Sequence, residues 1–97
     1  MARIDIRHSH GMSKDDAIER TRDMLSRFAE RKPELVTSVT WSADGTSAQL
    51  SGPAFKGEFR VTDSDVVVDV KLALLARPFK GKVQESLERN LIRAFEA

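Results

Sequence analysis

Two alternating runs joined by a three-residue turn constrain this chain more than any other feature. In "FKGEFRVT", residues 55 to 62, Phe55, Phe59 and Val61 fall on one face and Lys56, Glu58 and Arg60 on the other. In "VVVDVKLAL", residues 66 to 74, Val66, Val68, Val70, Leu72 and Leu74 share one face, with Asp69 and Lys71 opposite. A period of two is the mark of a strand with one buried side. The "DSD" between them is turn chemistry, so the runs predict neighbouring antiparallel strands with a common apolar face. Such a sheet must be covered by a second layer, which the rest of the chain has to supply.

The flanking sequence supplies it. Ile4, Ile6 and His8 alternate with Arg3, Asp5 and Arg7, predicting a first strand. Ser13 is a candidate N-cap, with Asp15 and Asp16 favouring the positive end of a helix that starts near Lys14. Ala17, Ile18, Thr21, Met24, Leu25, Phe28 and Ala29 recur at helical steps, cations Arg27, Arg31 and Lys32 follow, and Pro33 stops the helix. From Val36 the period returns to two, with Val39 and Trp41 on one side. "ADGT" predicts a hairpin in which Gly45 takes positive φ, and the returning strand turns Ala48 and Leu50 inward. Phe79, Val83, Leu87, Leu91, Ala94 and Phe95 form a second helical stripe, with Phe79 as a core anchor.

The expected architecture is α+β and two-layered: an antiparallel sheet packed against two helices, in the order β-α-β-β-β-β-α. Ninety-seven residues hold one modest core, so residues 1–97 read as a single α+β domain. The outward face carries Arg3, Asp5, Arg7, Thr40, Ser42, Gln49, Ser51, Lys56, Glu58, Arg60, Asp69 and Lys71, for which cross-strand ion pairing is the expected arrangement. No ring is predicted there for a base to stack on, and 16 basic against 15 acidic residues is no polyanion-binding excess, so no nucleic-acid partner is expected.

The absence of cysteine excludes a disulfide framework, a thiolate nucleophile and a cysteine zinc site. The opening "MARIDIRHSHG" lacks the apolar core of a signal peptide and no apolar run approaches a membrane span, so the expected location is cytoplasmic. None of the nine serines sits in a Gly-x-Ser-x-Gly elbow, the carboxylates fall on solvated faces or turns, and the five glycines form no phosphate loop. The chain therefore reads as non-enzymatic, with no cofactor. His8 and His10 have two readings. They are a pair of metal ligands lacking a third, or a core-edge residue and a hydrogen-bonded loop residue before a tight entry at Gly11.

The segment "LLARPFKGKV" concentrates cations at the start of the last helix, where Pro78 suits a first turn. Arg77, Lys80 and Lys82 there, with Gly81 allowing close backbone approach, make a candidate anion or partner contact. The competing reading leaves them solvated, with Lys82 paired to Glu85 or Ser86.

"IDIRHSHGMSKDDA" at the start and "VDVKLALLARPFKGKVQESLERNL" at the end together resemble the small bacterial polyhydroxyalkanoic acid system proteins. The likeness spans nearly the whole chain and is most specific in "PFKGKVQESLERNL"; Met12 stands where a leucine is expected. The resemblance implies an accessory role in polyhydroxyalkanoate (storage polyester) metabolism, with the granule or a protein of that pathway as partner and a granule-associated location. It carries over no catalytic residues. A long amphipathic granule coat fits poorly, because the apolar residues are spent on a sheet-and-helix core. The alternative is a small carrier or sensor holding an acyl chain or acyl-CoA between sheet and helix, by analogy with a shortened helix-grip fold. The chain length leaves that alternative little room for a cavity.

Overall fold

The computed structural model describes residues 2–96, the side chains of Ala2, Leu74, Leu75 and Glu96 excepted. Strands β1 (Ala2–Ser9), β2 (Ser38–Trp41), β3 (Ser47–Gly52), β4 (Phe55–Val61) and β5 (Asp65–Leu72) form one antiparallel sheet in the order β1-β5-β4-β3-β2. Helix α1 (Lys14–Arg31) carries the chain from one sheet edge to the other, and α2 (Lys80–Glu96) follows β5 after a 3-10 segment, Leu74–Phe79. The α+β order read from periodicity is the order observed.

Local chemistry explains the element ends. The Ser13 hydroxyl accepts the Asp16 N–H at 3.2 Å to start α1, and Gly11 turns the chain into it with φ 61°. The β2–β3 hairpin turns on Gly45, φ 73°. Beside it the Asp44 carboxylate accepts the Ser42 hydroxyl at 2.6 Å, the Thr46 hydroxyl at 2.8 Å and the Thr46 N–H at 3.1 Å. These donors, Ser42 foremost, hold that carboxyl at about 2, below the usual aspartate value. At the β3–β4 turn, a Cβ on Gly52 would stand 1.9 Å from the Leu35 carbonyl oxygen. Only glycine lets those two backbones approach so closely.

The core lies between the sheet and the helices. Ile4, Leu50, Phe59, Val66, Val68, Val70 and Leu72 from the strands meet Ala17, Leu25, Leu91 and Phe95 from the helices, all buried. Thr21 is fully buried in α1 because its hydroxyl donates to the Ala17 carbonyl at 2.8 Å.

The last helix departs from expectation. Its burial falls along its length: Leu91 and Phe95 are buried, Leu87 and Val83 half-buried, and Phe79, expected as a core anchor, is 54% exposed. Pro78 has no N–H for a carbonyl four residues back, and the stretch that contains it is a 3-10 segment, with an Ala76 N–H to Ala73 carbonyl bond of 2.9 Å. The α-helix therefore begins at Lys80, leaving Phe79 outside the stripe, and β5 ends at Leu72, so the expected inward Leu74 belongs to the 3-10 segment and its side chain is outside the described set.

Candidate functional site

Because α2 is anchored at its C-terminal half and rises at its N-terminal half, an apolar cleft of about 280 Å³ opens between the helices and the sheet. Its floor is Leu50, Phe59, Val70 and Leu72. Met24, Leu25 and Phe28 of α1 form one wall, and Val83 and Leu87 of α2 the other. The volume lies near the lower end of ordinary small-molecule sites, roughly 300–1,000 Å³. Chain length alone predicted little such room; the raised helix end provides it.

Two cations, Lys32 from the end of α1 and Lys82 from the first turn of α2, join Ser86 and Asn90 in a lining that is otherwise apolar. Both lysines are exposed, as suits long side chains that can cover apolar surface while keeping the charge in water. Of the four residues read as an anion contact, Lys82 is the one that lines the cleft. Arg77, in the 3-10 segment, and Lys80 and Gly81, at the start of α2, are exposed and outside that lining. Among the described residues, nothing beyond its own helix comes within 4 Å of a Cβ built at Gly81, so no close approach by them explains that glycine. Lys32 was missed because its position reads as an ordinary cation at a helix C-terminus. Glu85, one expected partner of Lys82, pairs with Arg89 at 3.3 Å.

His8, near the end of β1, and His10, in the loop that follows, stand beside the C-terminal end of α2. His10 is 3% exposed; its Nε2 donates to the Thr62 carbonyl at 2.9 Å and its Nδ1 accepts the Met12 N–H at 3.2 Å. A carbonyl can only accept and an amide N–H only donate, so these contacts fix the neutral Nε2–H tautomer. Both ring nitrogens are thereby committed to the backbone. The rings of His8 and His10 lie 6.0 and 6.4 Å from that of Phe95, which ties the β1 exit to the end of α2. Among the described residues no group of three His, Cys, Asp or Glu side chains has a metal-binding arrangement.

The open face of the sheet holds a shallow polar trough of about 430 Å³ along Ser38, Gln49, Lys56, Glu58, Asp69 and Lys71. The expected cross-strand ion pairs are present between β1 and β5, Arg3 with Asp69 and Arg7 with Asp65, but they run diagonally rather than between directly opposite residues. Register sets like against like: Arg3, Lys71 and Lys56 form one row and Asp5, Asp69 and Glu58 the next. Like charges directly opposite are unfavourable, and the relief is diagonal. Arg3 grips Asp69 through two bonds of 2.6 and 3.0 Å, which lowers the Asp69 carboxyl below its usual value.

Fold and site together define a small two-layer α+β protein with an open apolar cleft beneath the rising end of its C-terminal helix. The chain belongs to the polyhydroxyalkanoic acid system protein family, whose model matches residues 4–95. No curated protein and no solved structure shows significant similarity to it. No described helix is long and apolar enough to cross a membrane.

Proposed function

We propose that the protein is a non-enzymatic accessory of the polyhydroxyalkanoate system that holds a hydroxyacyl chain in the cleft between sheet and helices. The observation that carries this reading is the pairing of a carbon-lined cleft of about 280 Å³ with Lys32 and Lys82 at its exposed margin. Apolar walls take the alkyl part of a ligand, and a few placed polar groups orient its carboxyl or carbonyl end. The family links the chain to a system whose monomers are such hydroxyacyl units. The one hydroxyl among the lining residues, Ser86, is exposed on α2 and has no histidine in the lining to activate it. Retention, rather than conversion, of the chain is what this arrangement suits.

The acyl chain has two sources, the polymer surface and a soluble monomer, and one variant addresses both. Ser86→Trp puts bulk into the cleft from an exposed position of α2, so folding is expected to be retained. Calorimetry with β-hydroxyoctanoate should show saturable binding with negative ΔCp in the unsubstituted protein. At least about tenfold weaker binding is expected in the variant, through loss of the occupied volume. Pelleting with protein-free polyhydroxyalkanoate granules that resists salt and is abolished by Ser86→Trp would assign the polymer as source. Pelleting indifferent to the variant, together with no binding of the soluble acid, would overturn the cleft reading. It would favour instead adhesion through exposed apolar side chains such as Phe79 and Ile92.

A further inference from the structure

A second depression runs along the seam between α1 and α2 and shares a wall with the cleft. It measures about 240 Å³, and Arg20, Arg27 and Arg31 of α1 and Arg93 of α2 line it. The three α1 positions are seven and four residues apart, which places them on one helix face. Asp23 is the one carboxylate in the lining, so the groove concentrates a net three positive charges on a chain whose total is +1. The Arg20 Nη1 donates to the Ala94 carbonyl at 2.9 Å, bridging the helices and fixing one guanidinium at the groove. Met24, Phe28 and Asn90 line both the groove and the apolar cleft, so the two volumes meet across a common sill.

We infer that the arginine groove seats the phosphorylated head of a thioester whose acyl chain occupies the cleft, making acyl-coenzyme A the ligand class. The inference rests on the acyl-binding reading of the cleft and deepens it. Guanidinium forks match phosphate oxygens and pair with them in bidentate fashion. Coenzyme A carries a pyrophosphate and a phosphate monoester, the latter alone worth about −2 near neutral pH. That is an anion with enough charge for four arginines, whereas a free carboxylate needs no more than the two lysines at the cleft margin. A ligand spanning both volumes would pass over Asn90, whose side-chain amide donates to the Ser86 carbonyl at 2.9 Å and so keeps the sill polar at its α2 edge.

The test compares two thioesters of the same acyl group, β-hydroxyoctanoyl-coenzyme A and β-hydroxyoctanoyl-N-acetylcysteamine, the second lacking every phosphate. Titration calorimetry should give at least about tenfold tighter binding for the coenzyme A thioester at low salt. The difference should shrink as ionic strength rises to roughly 0.5 M. Arg27→Glu/Arg93→Glu, both at exposed positions, should erase the difference while leaving the N-acetylcysteamine thioester unaffected; circular dichroism confirms that the variant is folded. Arg20 is spared because it bridges the helices. Equal affinity for both thioesters, or indifference to the double substitution, overturns the groove assignment and leaves the cleft reading standing. Binding of neither thioester overturns both.

Discussion

Gly52→Ala is expected to lower the free energy of unfolding by about 3 kcal/mol and Tm by roughly 15 °C. The added methyl would stand 1.9 Å from the Leu35 carbonyl oxygen, 3.0 Å from its carbon and 3.2 Å from Phe55 Cε1. Backbone, rather than a flexible side-chain tip, has to give way. The approach is held on both sides, by the Thr37 N–H to Ser51 carbonyl bond at 2.8 Å and by the Leu35 N–H to Lys32 carbonyl bond at 3.0 Å. Relief must therefore displace either the start of β2 or the β3–β4 turn. Gly81→Ala is the matched control of opposite sign: its Cβ meets nothing within 4 Å among the described residues beyond its own helix, and alanine in a helix is favoured by up to about 1 kcal/mol. Chemical denaturation of both variants measures the contrast. A Gly52→Ala protein as stable as the parent would contradict the packing described at that turn.

His10→Ala should cost about 2–4 kcal/mol, from the emptied volume and from two backbone groups left without their partner. The Thr62 carbonyl and the Met12 N–H lose the bonds that tie the β4–β5 turn to the entry of α1, and the Phe95 ring loses a neighbour. His10→Asn should recover part of the loss, because its amide oxygen stands near the Nδ1 position and can accept the Met12 N–H. Zinc distinguishes this from a ligand role. A metal bound by the native state would raise Tm with concentration, whereas ring nitrogens already committed to the backbone give no such rise. Thermal melts of the unsubstituted protein with and without zinc, beside the two variants, decide between them.

Most of the architecture was legible because it rests on local chemistry. The period-two runs around "DSD" became β4 and β5, and the Ser13 cap and Gly45 turn were recognisable from residue type alone. The miss at Phe79 has a local cause as well: the helical stripe was begun at Phe79 with Pro78 in its first turn, whereas both residues belong to a 3-10 segment that precedes the helix. The like-charged rows on the open face depend on register between strands, so residue alternation could place Lys56 and Lys71 on the same face without revealing that they stand opposite one another. The cleft was hidden for a related reason. Its existence depends on how α2 sits over the sheet, with burial falling from Leu91 to Phe79, a tertiary arrangement that the hydrophobic stripe does not encode. Of the cations near residue 80, Lys82 lines the cleft. The denser cluster of Arg20, Arg27, Arg31 and Arg93 was split between two helices distant in sequence.

Two features of the arrangement bear on each other. The half of α2 that walls the cleft is also the half with the least burial, while Leu91 and Phe95 anchor the other half. A segment with few buried contacts opens at lower free-energy cost than the core. A ligand in the cleft would therefore add contacts where the fold has fewest, and should raise protection of the first turns of α2 more than that of the sheet.

The central claim, that the cleft receives an acyl chain, is tested most directly by methyl NMR during titration with β-hydroxyoctanoyl-coenzyme A. The account predicts shifts concentrated at the methyls of Leu50, Val70, Leu72, Val83 and Leu87, which line the cleft. Val66 and Val68, buried elsewhere in the core, and Val67 on the open face should stay still. Shifts confined to the open face of the sheet or to the surroundings of Arg77 and Lys80, with the cleft methyls unmoved, would contradict it.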